Sequence, residues 1–143
     1  MAEAKSPAKS VNLEARTNRY ERPEFESRQR VVMMARSENM SCLIHTIKNG
    51  GEENLHSHPE SDAYWFVLDG TAQFFGEGDT ELGTISKHEG IFIPRGFQYW
   101  FKGLGDEILR AASRTPPVKD DRVDYAPRSE TTNEAYAPVK MAD

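Results

Sequence analysis

His56-Ser57-His58 is the feature of this chain closest to chemistry. On an extended strand alternate side chains share a face, so both imidazoles point the same way, about 6.5–7 Å apart along the chain. Ring nitrogens so placed can converge on one metal ion at about 2.0–2.1 Å, and neutral imidazole suits iron, zinc, nickel and copper. Without a metal the same pair can move protons, because imidazole titrates near neutral pH. An isolated HxH also occurs as two exposed histidines beside a turn, so its meaning depends on what positions it.

Few other residues compete for a chemical role. His45 lies inside the apolar run Ser41–Lys48, with Leu43 and Ile47 on its face, and reads as a core or edge histidine. His88 falls in a turn and reads as exposed. Cys42 is the only cysteine, which excludes an internal disulfide and any multi-cysteine zinc site; it reads as a small buried hydrophobe. Arg95, between Pro94 and Gly96, sits where it could meet an anionic substrate, although a solvated arginine is the simpler reading.

The elements that hold these residues are strands. Short apolar runs alternate with turn residues: Arg30–Ala35, Ser41–Lys48 before Asn49-Gly50-Gly51, Leu55–His58, Ala63–Leu68 before Asp69-Gly70, Thr71–Phe75, Ile91–Ile93, Phe97–Phe101 and Glu107–Ala112. No helical period of useful length interrupts them. About eight short strands with turns every 8–12 residues read as a sandwich or small barrel. Ten of the fourteen aromatic residues lie between Tyr64 and Phe101, so the core is placed at residues 31–114. Residues 1–30 read as an N-terminal arm and 115–143 as a short ordered lead and a loose tail.

Composition narrows the class. The chain has 143 residues and a formal net charge of −5, the size of one ordinary domain. Residues 1–36 carry eight Lys+Arg against five Asp+Glu, and the rest carry ten against eighteen. The mixed signs of the first stretch read as a solvated arm, or as one that reaches a partner subunit. No apolar run approaches the ~18–20 residues of a membrane span, and MAEAKSPAKS lacks the apolar block of a secretory signal. An acidic chain without a basic cluster is a poor nucleic-acid binder. The expectation is a soluble, cytoplasmic protein with no nucleic-acid or membrane partner.

Two segments carry a resemblance. Gly50, five residues, His56-Ser57-His58 and a strand ending Val67-Leu68-Asp69-Gly70 resemble the first cupin motif. Ile93-Pro94-Arg95-Gly96-Phe97-Gln98-Tyr99 resembles the second, whose core is IPxGxxH. The resemblance spans residues 41–112 and implies an all-β double-stranded β-helix, a jelly-roll barrel with its pocket at the centre. It also implies a metal held by three histidines and a glutamate. His56 and His58 match two of those positions, but Ala63 stands at the glutamate position and Tyr99 at the third histidine. Asp62 is one residue from the lost glutamate and faces the other way without a bulge. Glu60 could swing in from its loop. Tyr99 could bind iron(III) as a phenolate, donate a hydrogen bond to a developing oxyanion, or simply pack in the barrel.

Strand parity then defines a pocket. Trp65 and Val67 share a face with Ala63, and Phe97 and Phe101 share one with Tyr99, which predicts aromatic walls around His56, His58 and Tyr99. Tyr64, Phe66 and Leu68 face the other way, and a second copy of the chain covering them predicts a homodimer. Three functions stay open. The leading one is a metal-dependent oxygenase, lyase or isomerase, holding one divalent iron, zinc, nickel, manganese or copper ion and acting on a small organic acid, phenol or diketone. The second is a metal-free isomerase, dehydratase or cyclase with His58 and Tyr99 as acid and base. The third is a ligand-binding module without turnover, since a fold alone does not select among them.

Overall fold

A computed structural model describes residues 14–26, 29–48, 54–103, 106–113, 121–125 and 140–141. The strands are β1 (Gln29–Arg36), β2 (Met40–Ile47), β3 (His56–Ser57), β4 (Ala63–Asp69), β5 (Thr71–Gly76), β6 (Glu81–Ser86), β7 (Gly90–Ile93), β8 (Tyr99–Gly103), β9 (Asp106–Ser113), β10 (Val123–Asp124) and β11 (Lys140–Met141). They form two sheets, ordered β11-β1-β2-β9-β4-β7 and β10-β3-β8-β5-β6. A single 3₁₀ turn at Glu77–Asp79 is the only helical element among the described residues, and no helix there is long and apolar enough to cross a membrane.

Side-chain alternation decides which face of each sheet turns inward. On β4, Ala63, Trp65 and Val67 are buried while Tyr64 is exposed. The register carries that face across the sheet: Trp65 stands opposite Arg110, and Val67 opposite Ile108, which in turn faces His45. In the second sheet Tyr99 and Phe101 of β8 and Ala72 and Phe74 of β5 turn inward, each fully buried. The two faces meet in one core of Ile47, Trp65, Val67, Ala72, Phe74, Ile93, Tyr99, Phe101 and Ile108. Trp65 and Phe101 rings lie 4.8 Å apart across it, and Phe74 stacks on Phe101 at 5.0 Å. A chain this short crosses between sheets through tight turns, and Gly70 makes one of them at φ 88°, a conformation that glycine adopts without steric cost.

All eight expected strands are present, with ends shifted by a few residues. β6 falls between the expected strands Thr71–Phe75 and Ile91–Ile93, where no strand was expected. Its residues ELGTIS are mostly exposed, because an edge strand packs on one side only and shows little apolar alternation.

Described parts of both flanking segments contact the barrel. Residues 14–26 lie against the chain's own first sheet. Tyr20 shares a hydrogen bond with Thr46 (2.9 Å), and Arg22 pairs with Glu107 (2.8 Å). Thr46 lies on the outer face with Ile44 and, across the register, Val32, both buried, so the arm covers apolar surface there. At the other end β10 pairs with β3 and β11 with β1, within the segment read as a short ordered lead and a loose tail.

Candidate functional site

β3 and β8 face each other with His56 opposite Tyr99, which brings the two sequence motifs together. The His56 and Tyr99 rings are 4.4 Å apart, and the His56 and His58 rings 5.1 Å apart and nearly perpendicular. His56 is 1% exposed. Its Nδ1 lies 2.8 Å from the Asn54 carbonyl oxygen. A carbonyl only accepts, so Nδ1 carries the proton and Nε2 the lone pair. His58, at the mouth, keeps 15% of its side-chain surface accessible, and its Nδ1 lies 3.0 Å from Asp121 Oδ1. The same argument protonates Nδ1 there.

Asp121 does more than orient one ring. Its Oδ2 accepts hydrogen bonds from the Glu60 amide (3.0 Å) and the Ser61 hydroxyl (2.9 Å). The loop after His58 is thereby fastened to the C-terminal segment. Tyr125 completes the clasp: its amide donates to the Leu55 carbonyl (2.9 Å), and its hydroxyl shares a hydrogen bond with Ser57 (3.0 Å). Burial works against the Asp121 charge, but hydrogen bonds from His58, Ser61 and Glu60 hold its carboxyl below the usual range.

The interior is electropositive. Arg110 on β9 turns inward opposite Trp65, with its guanidinium carbon 5.5 Å from the Trp65 ring centre. Arg122, next to Asp121, is mostly buried and paired with Asp124 at 2.8 Å. Every histidine inside the barrel is pushed toward the neutral form. For His56, burial is the main cause, followed by Arg122. For His58 it is burial and then Arg110, against the opposing pull of Asp121. For His45 burial, then Arg110 and Arg122, lower the pKa to about 3.

Tyr99 is fully buried, and Trp65 Nε1 donates to its hydroxyl oxygen at 3.2 Å. Trp65, Val67 and Phe101 join Tyr99 in the core cluster. Phe97, expected on the same wall, does not: it is 39% exposed. The reason is local. The Phe97 amide bonds back to the Pro94 carbonyl (3.1 Å) around Gly96 at φ 80°, so strand alternation starts only at Tyr99. Asp62 binds Arg95 at the rim, with its carboxylate accepting from the Arg95 amide at 2.9 Å and from Nη2 at 3.2 Å. Arg95 is therefore ion-paired rather than simply solvated. Glu60 is exposed and Cys42 half-buried. His88 is exposed, as expected, in a turn at φ 70° and stacked on Phe66.

No protein-family model matches the chain, and no curated protein matches its sequence. Solved structures do match by shape. KdgF from Halomonas sp. superposes with a TM-score of 0.58 at 17% identity, over 69% of this chain and 87% of that one. An RmlC-like cupin protein from Desulfovibrio desulfuricans gives 0.54 at 24% identity, over 61% and 82%. The fold is the cupin double-stranded β-helix. The DMSP lyase DddQ from Ruegeria pomeroyi DSS-3 shares it, with a TM-score of 0.57 at 18% identity, over 71% of this chain and about half (54%) of that one.

Within this cupin fold the donor set does not fit a tightly held divalent ion. Ala63 and Tyr99 stand at two of the four positions the family resemblance implies. Asp121 is engaged on the Nδ1 side of His58, and Asp62 on Arg95. Among the described residues no three His, Cys, Asp or Glu side chains cluster for a metal. The field of Arg110 and Arg122 that disfavours a proton on the imidazoles disfavours a metal cation for the same reason.

Three site residues escaped the sequence reading. Arg110 had a usable signal, since it shares strand parity with Ile108 in EILRAA. Asp121 and Arg122 had none, because KDDRVD looks like any solvated charge cluster.

His45 leads to a pH test. Its folded pKa of about 3 lies below the ordinary 6.5, so between those values the unfolded chain binds one proton more than the folded one. Stability is full above pH 6.5 and falls as pH drops, about tenfold in the folding equilibrium per unit. His45→Gln should remove one proton's share of that slope in urea unfolding between about pH 6 and 4.5. An unchanged slope would show that His45 is charged in the folded state.

Proposed function

We propose that this chain is a small-molecule cupin enzyme that works by proton transfer, with His58 as acid and base and Tyr99 as hydrogen-bond donor to the oxyanion. The observation that carries the reading is the pairing of His58 Nδ1 with Asp121. It fixes the ring and leaves a basic Nε2 on the more accessible of the two site histidines. A carboxylate so placed also stabilises the imidazolium that forms when the ring takes a proton. Trp65 donating to the Tyr99 oxygen polarises that hydroxyl toward giving its own proton. Buried aromatic side chains nearby favour a substrate with an apolar part. One protein of the same fold, DddQ, is a DMSP lyase.

A second reading keeps the HxH pair as a metal site. One observation favours it: each ring donates Nδ1–H to an oxygen, the support that metal-ligating histidines receive. The lack of a carboxylate ligand among the described residues and the two arginines weigh against it.

The test uses phenylpyruvate, an aromatic 2-oxo acid with an acidic carbon. His58 takes a proton from C3, the electron pair moves into the enolate, and Tyr99 holds the enolate oxygen. Return of a solvent deuteron to C3 then regenerates the keto acid, labelled. The expected result is protein-dependent deuterium exchange at C3 by proton NMR. It should fall about 10²–10⁴-fold in His58→Gln and about 10²–10³-fold in Tyr99→Phe. Exchange equal in the wild type and both variants would remove these residues from the chemistry.

We also infer a homodimer formed through the outer face of the first sheet. There Met40, Tyr64 and Phe92 are 46%, 45% and 59% exposed around a shallow groove. Sedimentation at micromolar protein should give twice the chain mass, and Tyr64→Glu should halve it. A wild-type mass of one chain would contradict the assembly.

A further inference from the structure

Arg110 is a charge on the wrong side of a sheet. Its register partners Leu43 and Trp65 lie on the inward face of β2 and β4, and its strand neighbours of the same parity, Ile108 and Ala112, are buried. Arg110 is part-buried, and a guanidinium partly withdrawn from water loses solvation that a partner of opposite charge or good hydrogen bonds restore. Here the guanidinium carbon rests 5.5 Å from the Trp65 ring centre. Its Nε is buried with no hydrogen-bond partner, and among the described residues no carboxylate pairs with it. The nearby acids are committed: Asp121 to His58, Glu60 and Ser61, and Asp124 to Arg122. The ring stack on Trp65 replaces little of the lost hydration, since a cation–π contact contributes a modest attraction.

We propose that Arg110 is the anchor for a carboxylate on the ligand of this barrel, so the site takes small organic acids rather than phenols or neutral diketones. The planar guanidinium matches a carboxylate with two parallel N–H···O bonds. Its place beside Trp65 sets the rest of the ligand. Trp65 touches Arg110 on one side and donates to Tyr99 on the other, and Tyr99 packs on His56. A carboxylate on Arg110 therefore puts the adjoining carbons against the aromatic wall, toward the Tyr99 hydroxyl and the histidines. The proposal rests on the reading of this interior as a small-molecule site. It also explains why Arg110 is kept without a carboxylate partner among the described residues: the ligand supplies that negative charge.

Binding and turnover separate the two readings, because benzoate has no exchangeable C–H and only binds. Isothermal titration should show wild-type protein binding benzoate and not phenol or acetylacetone, two uncharged probes of similar size, with affinity falling as salt rises. Arg110→Gln should weaken benzoate at least tenfold. Arg110→Met keeps the stem on Trp65 and should do the same if the glutamine variant folds poorly. Arg95→Gln, at the exposed rim, should leave affinity unchanged. Thermal unfolding gives a second readout. Removing an unpaired interior charge should not lower the melting temperature of the free protein, but should abolish the upward shift that benzoate gives the wild type. Equal benzoate affinity in the wild type and both Arg110 variants would overturn the proposal. So would phenol binding as tightly as benzoate, or no benzoate binding at all. If benzoate binds through Arg110 but phenylpyruvate exchange is absent, the anion site stands and the proton-transfer reading falls.

Discussion

A guanidinium faces inward from β9, an interior strand of the first sheet, among side chains that burial already keeps uncharged. With Arg122 it adds a positive field to the cost of burial, and the histidines inside respond by staying neutral. Neutral imidazoles pack against Trp65, Phe101 and Tyr99 without a large desolvation penalty. They also keep a lone pair, and an imidazole that has one at neutral pH can act as a base. The same field makes the interior a poor host for a second cation and a good host for an anion.

Asp121 is the counterweight. It lies 63 positions after His58 in the chain, yet its carboxylate holds the ring and the two residues at the following turn. The site is thus assembled from three parts of the sequence: the first motif brings the imidazoles, the second brings Tyr99, and the C-terminal segment brings the group that orients His58. The fold makes this economical. β3 is only two residues long, and it is flanked by β8 on one side and β10 on the other, so the strands around it fix His56, while Asp121 holds His58 just beyond its end.

Much of the barrel was legible because β4 alternates cleanly. AYWFVLD announces its inward face by parity, Tyr99–Gly103 shows it less plainly because Trp100 is buried too, and the two motifs announce which ends meet. Phe97 was misplaced because parity was extended back through a glycine turn, where the chain reverses and alternation has no meaning. β6 was missed because an edge strand leaves most of its residues in water. Arg110 was overlooked for a different reason: hydrophobic patterning treats a charge inside an apolar run as noise, whereas an interior charge is expensive and therefore informative. Asp121 could not be found from sequence, since its role comes from a long-range contact that no local pattern encodes.

The most direct test of this account is the metal content of untagged protein purified without chelators, measured by inductively coupled plasma mass spectrometry. A barrel whose histidines are held neutral by burial and then by Arg110 and Arg122, and in which no carboxylate completes a ligand set among the described residues, should carry far less than one transition metal per chain. It should remain so after incubation with iron(II), zinc or nickel and desalting. About one metal per chain, lost in His56→Ala, would contradict it and make the HxH pair a metal centre after all.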